Sequence, residues 1–96
     1  MGRDDVVKLI RSHRKEIDSF NIKSLSLFGS VARDESHEKS DVDILVDFKE
    51  KPTFDRYMKL KLFLEDTLGC PVDLVTRKAL KPQLRDSVER EALRVT

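Results

Sequence analysis

The residues best suited to chemistry in this chain are paired aspartates. Asp41 and Asp43 stand two apart in Ser40-Asp41-Val42-Asp43-Ile44-Leu45-Val46, at the head of an apolar run. In an extended strand alternate side chains project to the same face, so the two carboxylates converge. Carboxylates held that close repel unless a cation lies between them. Hard oxygen ligands suit Mg²⁺, which takes one or two protein carboxylates and fills its other positions with phosphate oxygens and water. Two such ions about 3.5–4 Å apart can activate an attacking oxygen and stabilise a leaving one. A third carboxylate, Asp73, interrupts the apolar stretch Pro71-Val72-Asp73-Leu74-Val75. Burying it alone is costly, so it faces water, a partner or a metal. If its strand lies beside that of Asp43, all three acids can serve one site. Each acid also has a plainer reading: Asp41 as a turn cap, Asp43 as an exposed strand residue, Asp73 as a solvent-facing edge residue.

A second element precedes the pair. Leu27-Phe28-Gly29-Ser30-Val31-Ala32-Arg33 places a glycine and a serine directly after an apolar stretch. Glycine lets the backbone approach a ligand closely. The free N–H groups of a helix start favour an anion, and the Ser30 hydroxyl adds a donor. The combination can cradle the phosphates of a nucleotide; taken alone it reads as a tight turn with a helix cap.

Periodicity indicates the elements that position these residues. Val6, Ile10, Ile17 and Phe20 recur at helical spacing between Asp4 and Phe20, with Asn21 as a stop. Leu25 and Leu27 alternate with Ser24 and Ser26, which predicts a strand over 23–28. A short helix is expected from Ser30 to Arg33 or Asp34, then a polar loop to Ser40. Val42 to Phe48 reads as a second strand. Phe54, Tyr57, Leu60, Leu64 and Leu68 mark a long amphipathic helix stopped by Gly69. Val72 to Val75 is a third strand. Pro82 suits the first turn of a last helix, with Leu84, Val88 and Ala92 facing inward. The order predicts an α/β (α+β) fold, a small mixed sheet of three to four strands flanked by helices. One layer of helices on one side of the sheet satisfies it.

Composition narrows the function classes. With 96 residues the expectation is a single domain, 1–96, with little chain left for a separate substrate-binding domain. Nineteen Lys and Arg against eighteen Asp and Glu give a formal net charge of +1, which disfavours a polybasic nucleic-acid binder. The single cysteine, Cys70, excludes an intrachain disulfide and a cysteine-based zinc site. No apolar stretch matches a membrane span or a signal peptide, so the expected location is the cytoplasm.

G-S-x-A-R, a polar loop, then S-D-x-D before an apolar strand resembles the signature of the DNA polymerase β-type nucleotidyltransferase superfamily. The resemblance is to its minimal nucleotidyltransferase group. Leu68-Gly69-x-Pro71-Val72-Asp73-Leu74-Val75 and the helix at Lys81-Pro82 extend it over nearly the whole chain. It implies the polymerase β-like fold and transfer of a nucleoside monophosphate from a triphosphate to an acceptor, with release of pyrophosphate. Carried over by position, Gly29 and Ser30 hold the triphosphate, and Asp41 and Asp43 bind two Mg²⁺ ions. Asp73 is the third metal ligand and assists deprotonation of the acceptor. Arg33 binds phosphate or pairs with an acid to fix the loop, and Ser40 orients Asp41. The motif's usual glycine after the arginine is Asp34 here, which adds a negative charge near the phosphates.

Members of this group often pair with an all-helical HEPN-type toxin and act as its antitoxin. The resemblance therefore implies transfer of AMP from ATP to a tyrosine of such a partner. The competing reading is a binding module that neutralises its partner by contact, with the metal site a relic or a nucleotide sensor. Nucleotidylation of a small molecule is a third. Other residues read as structural: His13 as a half-buried helix residue, His37 as a loop residue, Tyr57 as core, and Cys70 as unreactive. Arg77, Lys78, Lys81 and Arg85 form a basic run, either a solvated face or a phosphate-holding one.

Overall fold

The computed structural model describes residues 2–29 and 42–96. Two short helices open the chain, α1 (Arg3–Ser12) and α2 (Arg14–Asp18), where periodicity predicts one. The break at His13 has a local cause. The Leu9 carbonyl, which a continuous helix would offer to the His13 N–H, instead meets the Ser12 hydroxyl at 2.7 Å and His13 Nδ1 at 2.9 Å. The His13 N–H turns to Ile10 O, at 3.1 Å. Such side-chain bonds compete with the helical ladder. Asn21, at φ 60°, then reverses the chain into β1 (Ile22–Phe28). Asparagine tolerates this left-handed conformation better than most residues.

β2 (Val42–Phe48) pairs antiparallel with β1. α3 (Phe54–Leu68) follows, capped at its start by Thr53 Oγ1, which accepts the Arg56 N–H at 3.1 Å. It ends at Gly69, whose φ of 70° is a left-handed cap. β3 (Val72–Thr76) lies parallel to β2, with α3 as the crossover that parallel strands require. A 3-10 turn (Arg77–Ala79) leads to α4 (Pro82–Glu91), with Pro82 at its first turn. The last two-residue strand, β4 (Leu93–Arg94), pairs antiparallel with β1. The mixed sheet has the order β3-β2-β1-β4. β4 is not foreseen from the sequence, since two residues carry no periodicity.

One face of the sheet holds the core. Leu25, Leu27, Ile44, Val46 and Leu74 pack against Val6, Ile10 and Ile17 of the first helices and Leu60, Leu64 and Leu68 of α3. A register shift between Ile22 and Ser24 lets both Ile22 and Leu25 stay on this face although they are three apart. α3 also engages the outer edge of β3. Glu65 Oε2 accepts the Val72 N–H at 2.9 Å, and the Tyr57 hydroxyl donates to Leu74 O. Side chains on an edge strand's backbone limit pairing with another chain.

α4 departs from the expected single layer of helices. Its residues Glu89 and Ala92 line a recess with Ser24, Ser26, Leu45 and Asp47, which face away from the core. The helix therefore sits over the other face and buries none of its own residues. Leu84, expected to point inward, is 51% exposed. No helix among the described residues is long and apolar enough to cross a membrane.

Candidate active site

The strand register assembles the described part of the site. Phe28 stands opposite Asp43 in the β1–β2 pair, and Asp43 stands opposite Asp73 in the β2–β3 pair. Gly29, directly after β1, thus shares one end of the sheet with both acids. Asp43 and Asp73 project from the same face, opposite to the core face occupied by Val42, Ile44, Val72 and Leu74. Adjacent strands are separated by about 4.8 Å, so the two carboxylates can reach a common ligand. Asp43 is half-buried and Asp73 is exposed, although β3 is an edge strand whose flanking residues Val72 and Leu74 are buried.

Gly29 contributes by what it lacks. Its φ is +71°, in the left-handed region that favours glycine. A Cβ at this position would collide with the Asp43 carboxylate and lie 3.1 Å from its Cγ and 3.3 Å from its Cβ. The backbone turn and the acid are in contact only because the side chain is missing. That bare turn, against Asp43 and at the same end of the sheet as Asp73, fits a phosphate held beside carboxylates through a hard cation. Asp41, Ser30, Arg33 and Ser40, the remaining site residues expected from the sequence, lie outside the described residues. So do the short helix expected from Ser30, and Asp34 and His37. Among the described residues no three His, Cys, Asp or Glu side chains cluster as metal ligands. Asp43 and Asp73 are the described members of the expected set.

Four residues further along β2 and beyond β3, the same face carries a different arrangement. Arg77 reaches Asp47 Oδ2 at 3.6 Å and Glu89 Oε1 at 2.6 Å. The hydrogen bond and charge of Glu89, and then Asp47, raise the Arg77 pKa above the usual arginine value, against the opposing pull of burial. This bridge ties α4 to the sheet. Sequence reading placed Arg77 only in a basic run. The signal available was Asp47, four residues after Asp43 and so on the same strand face, but its partner on α4 could not be inferred. Cys70 is half-buried, and His13 packs edge-on to Phe63, with ring centroids 6.0 Å apart. Neither lies among the residues that adjoin Asp43 in the register.

Known proteins match this arrangement over nearly its whole length. The nucleotidyltransferase domain family matches residues 8–95. A protein of Thermococcus cleftensis, the protein adenylyltransferase MntA, is 39% identical over 93 residues, covering 96% of this chain and 94% of the relative. A solved structure provisionally described as a minimal nucleotidyltransferase superposes with a TM-score of 0.86 at 38% identity, covering 97% of this chain and 95% of that one. A more distant likeness in fold, with a TM-score of 0.62 at 21% identity, covers 98% of this chain and 68% of a chain in a tri-AMPylated Shewanella oneidensis HEPN toxin in complex with MNT antitoxin. The bare glycine turn and in-register acids thus sit in a chain that belongs to the nucleotidyltransferase domain family and is a nucleotidyltransferase.

Proposed function

We propose that this nucleotidyltransferase is a magnesium-dependent protein adenylyltransferase that acts as an antitoxin, moving AMP from ATP onto a tyrosine hydroxyl of a HEPN-type toxin. The observation that carries the reading is the register of Asp43 and Asp73 beside a glycine turn that tolerates no side chain. The Thermococcus cleftensis relative and the fold shared with an antitoxin bound to an AMPylated toxin support the substrate and partner.

Gly29 and Ser30 hold the triphosphate in this reading, with Arg33 and Ser40 completing the nucleotide-binding set. Asp41, Asp43 and Asp73 would hold two Mg²⁺ ions, which supply charge neutralisation at the α-phosphate and the leaving pyrophosphate. The acceptor oxygen attacks the α-phosphorus, the bond to the β-phosphate bridging oxygen breaks, and pyrophosphate leaves. Asp73 is exposed and so accessible to the acceptor; it receives the hydroxyl proton. The half-buried Asp43 would help to hold the ions and so orient the phosphate.

The test is transfer from α-labelled ATP with Mg²⁺ to a HEPN-type protein of the same genome, beside an Asp41→Asn control. Label on the tyrosine of that protein, absent in the control, is the expected result. Tight binding of the partner with no label would replace the proposal with neutralisation by contact.

A further inference from the structure

The molecule carries a surface that the proposed chemistry does not use. It lies at the far end of the strands, where β2 leaves the sheet and β3 enters the 3-10 turn. A recess of about 360 Å³ opens there between Val46, Phe48, Pro52 and Ala79, with Lys51 and Lys78 among its walls. An adjoining recess of about 390 Å³ shares Pro52 and Ala79 and adds Phe54, Tyr57 and Val75. A third, of about 220 Å³, shares Asp47, Arg77 and Lys78 with the first and is completed by Arg85. Phe54 is 79% exposed, the most exposed large apolar side chain among the described residues. An aromatic left in water beside contiguous apolar recesses marks an interaction surface.

The charges indicate what covers it. Lys51, Arg77, Lys78 and Arg85 line the first and third recesses against two carboxylates, Asp47 and Glu50. Arg77 is already committed to Asp47 and Glu89. Lys51, Lys78 and Arg85 form no ion pair among the described residues. Arg85 Nε is shielded from solvent and has no hydrogen-bond partner among the described residues. A nucleic-acid strand calls for an extended basic groove, whereas this surface is largely apolar and the chain's formal net charge is only +1. Apolar walls with three cations that form no ion pair among the described residues complement a protein segment bearing apolar and acidic side chains.

We infer that this surface docks an apolar and acidic segment of the acceptor protein, an inference that rests on the adenylyltransferase reading above. Asp47 is four residues beyond Asp43, roughly 13 Å at about 3.3 Å per residue, so four extended residues of a docked segment span the distance to the carboxylates. The surface sets the protein acceptor's KM, and the nucleotide binds elsewhere.

The experiment uses a HEPN-type protein of the same genome as acceptor. It compares wild type with Phe54→Ser and with the double variant Lys78→Glu, Arg85→Glu, all checked for unchanged melting. Charge reversal is expected to raise the acceptor's KM at least about tenfold, with kcat and the KM for ATP unchanged. Phe54→Ser should raise it about fivefold or more. Calorimetry of the same acceptor without ATP separates the two claims. Binding by wild type without transfer, lost in both variants, keeps the docking surface and removes the adenylyltransferase reading. Transfer and binding unchanged in both variants overturn the surface and leave that reading intact. An RNA oligonucleotide bound by wild type and lost only on charge reversal, with Phe54→Ser neutral towards the protein acceptor, also overturns it. Absence of both binding and transfer in wild type overturns both.

Discussion

The two ends of this sheet face carry acids at matched positions and use them in opposite ways. At one end Asp43 and Asp73 stand in register, carboxylate beside carboxylate. At the other, four residues on, Asp47 meets Arg77, and Glu89 from α4 closes the bridge. The first arrangement sets like charges on neighbouring strands, which in the reading proposed above serve a metal ion. The second joins its acids through Arg77, which holds a helix in place. In the proposed reading the acids that oppose each other serve the reaction, whereas the acid met by an arginine serves the packing.

The largest effect expected from this contrast is in Asp43→Asn, which should lower transfer by about 10²–10³-fold while melting stays near wild type. The matched Asp47→Asn should leave transfer within about threefold and act instead on stability. Equal loss of transfer in both variants, measured by label incorporation, would erase the distinction between the ends. Asp73→Arg converts the first end into a copy of the second. It should abolish transfer and remove the protein's response to Mg²⁺, while thermal melting is retained or raised. A variant that still transfers AMP would show that Asp73 lies outside the metal and proton-accepting set.

Gly29→Ala tests the same end from the backbone. The new Cβ meets the Asp43 carboxylate, so catalytic efficiency should fall about 100-fold through misplacement of the phosphate site. Calorimetry should show nucleotide binding weakened with it; unaltered affinity would separate Gly29 from the nucleotide. The smallest effect is expected for Arg77→Met. Both of its ion pairs are partly exposed, so the melting temperature should drop slightly, and less so in high salt. A large loss of transfer in this variant, with melting unchanged, would move Arg77 from holding α4 to the reaction itself.

Much of this architecture is legible in the residues because the responsible forces are local. Asn21 and Gly69 stop elements because they accept positive φ, and Pro82 starts a helix because it needs no N–H donor there. The strand at 42–48 follows from its apolar pattern. The break at His13 is less legible: the Ser12 hydroxyl and the imidazole must both find the Leu9 carbonyl, and that depends on rotamers. β4 depends on pairing with β1, and the placement of α4 over the second face on a bridge from Glu89 through Arg77 to Asp47, in both cases to a strand far away in sequence.

The sequence by itself determined the spacing of the acids, the glycine ahead of them and the elements that carry them, since periodicity and backbone preference act over a few residues. Which acids oppose one another was decided by tertiary structure. The crossover through α3 laid β3 parallel to β2 in the register that sets Asp73 against Asp43, and a one-residue slip would have turned Asp73 to the core face. The tertiary structure also paired Arg77 with Asp47 and Glu89, because ion pairs between distant segments exist only after those segments are packed together.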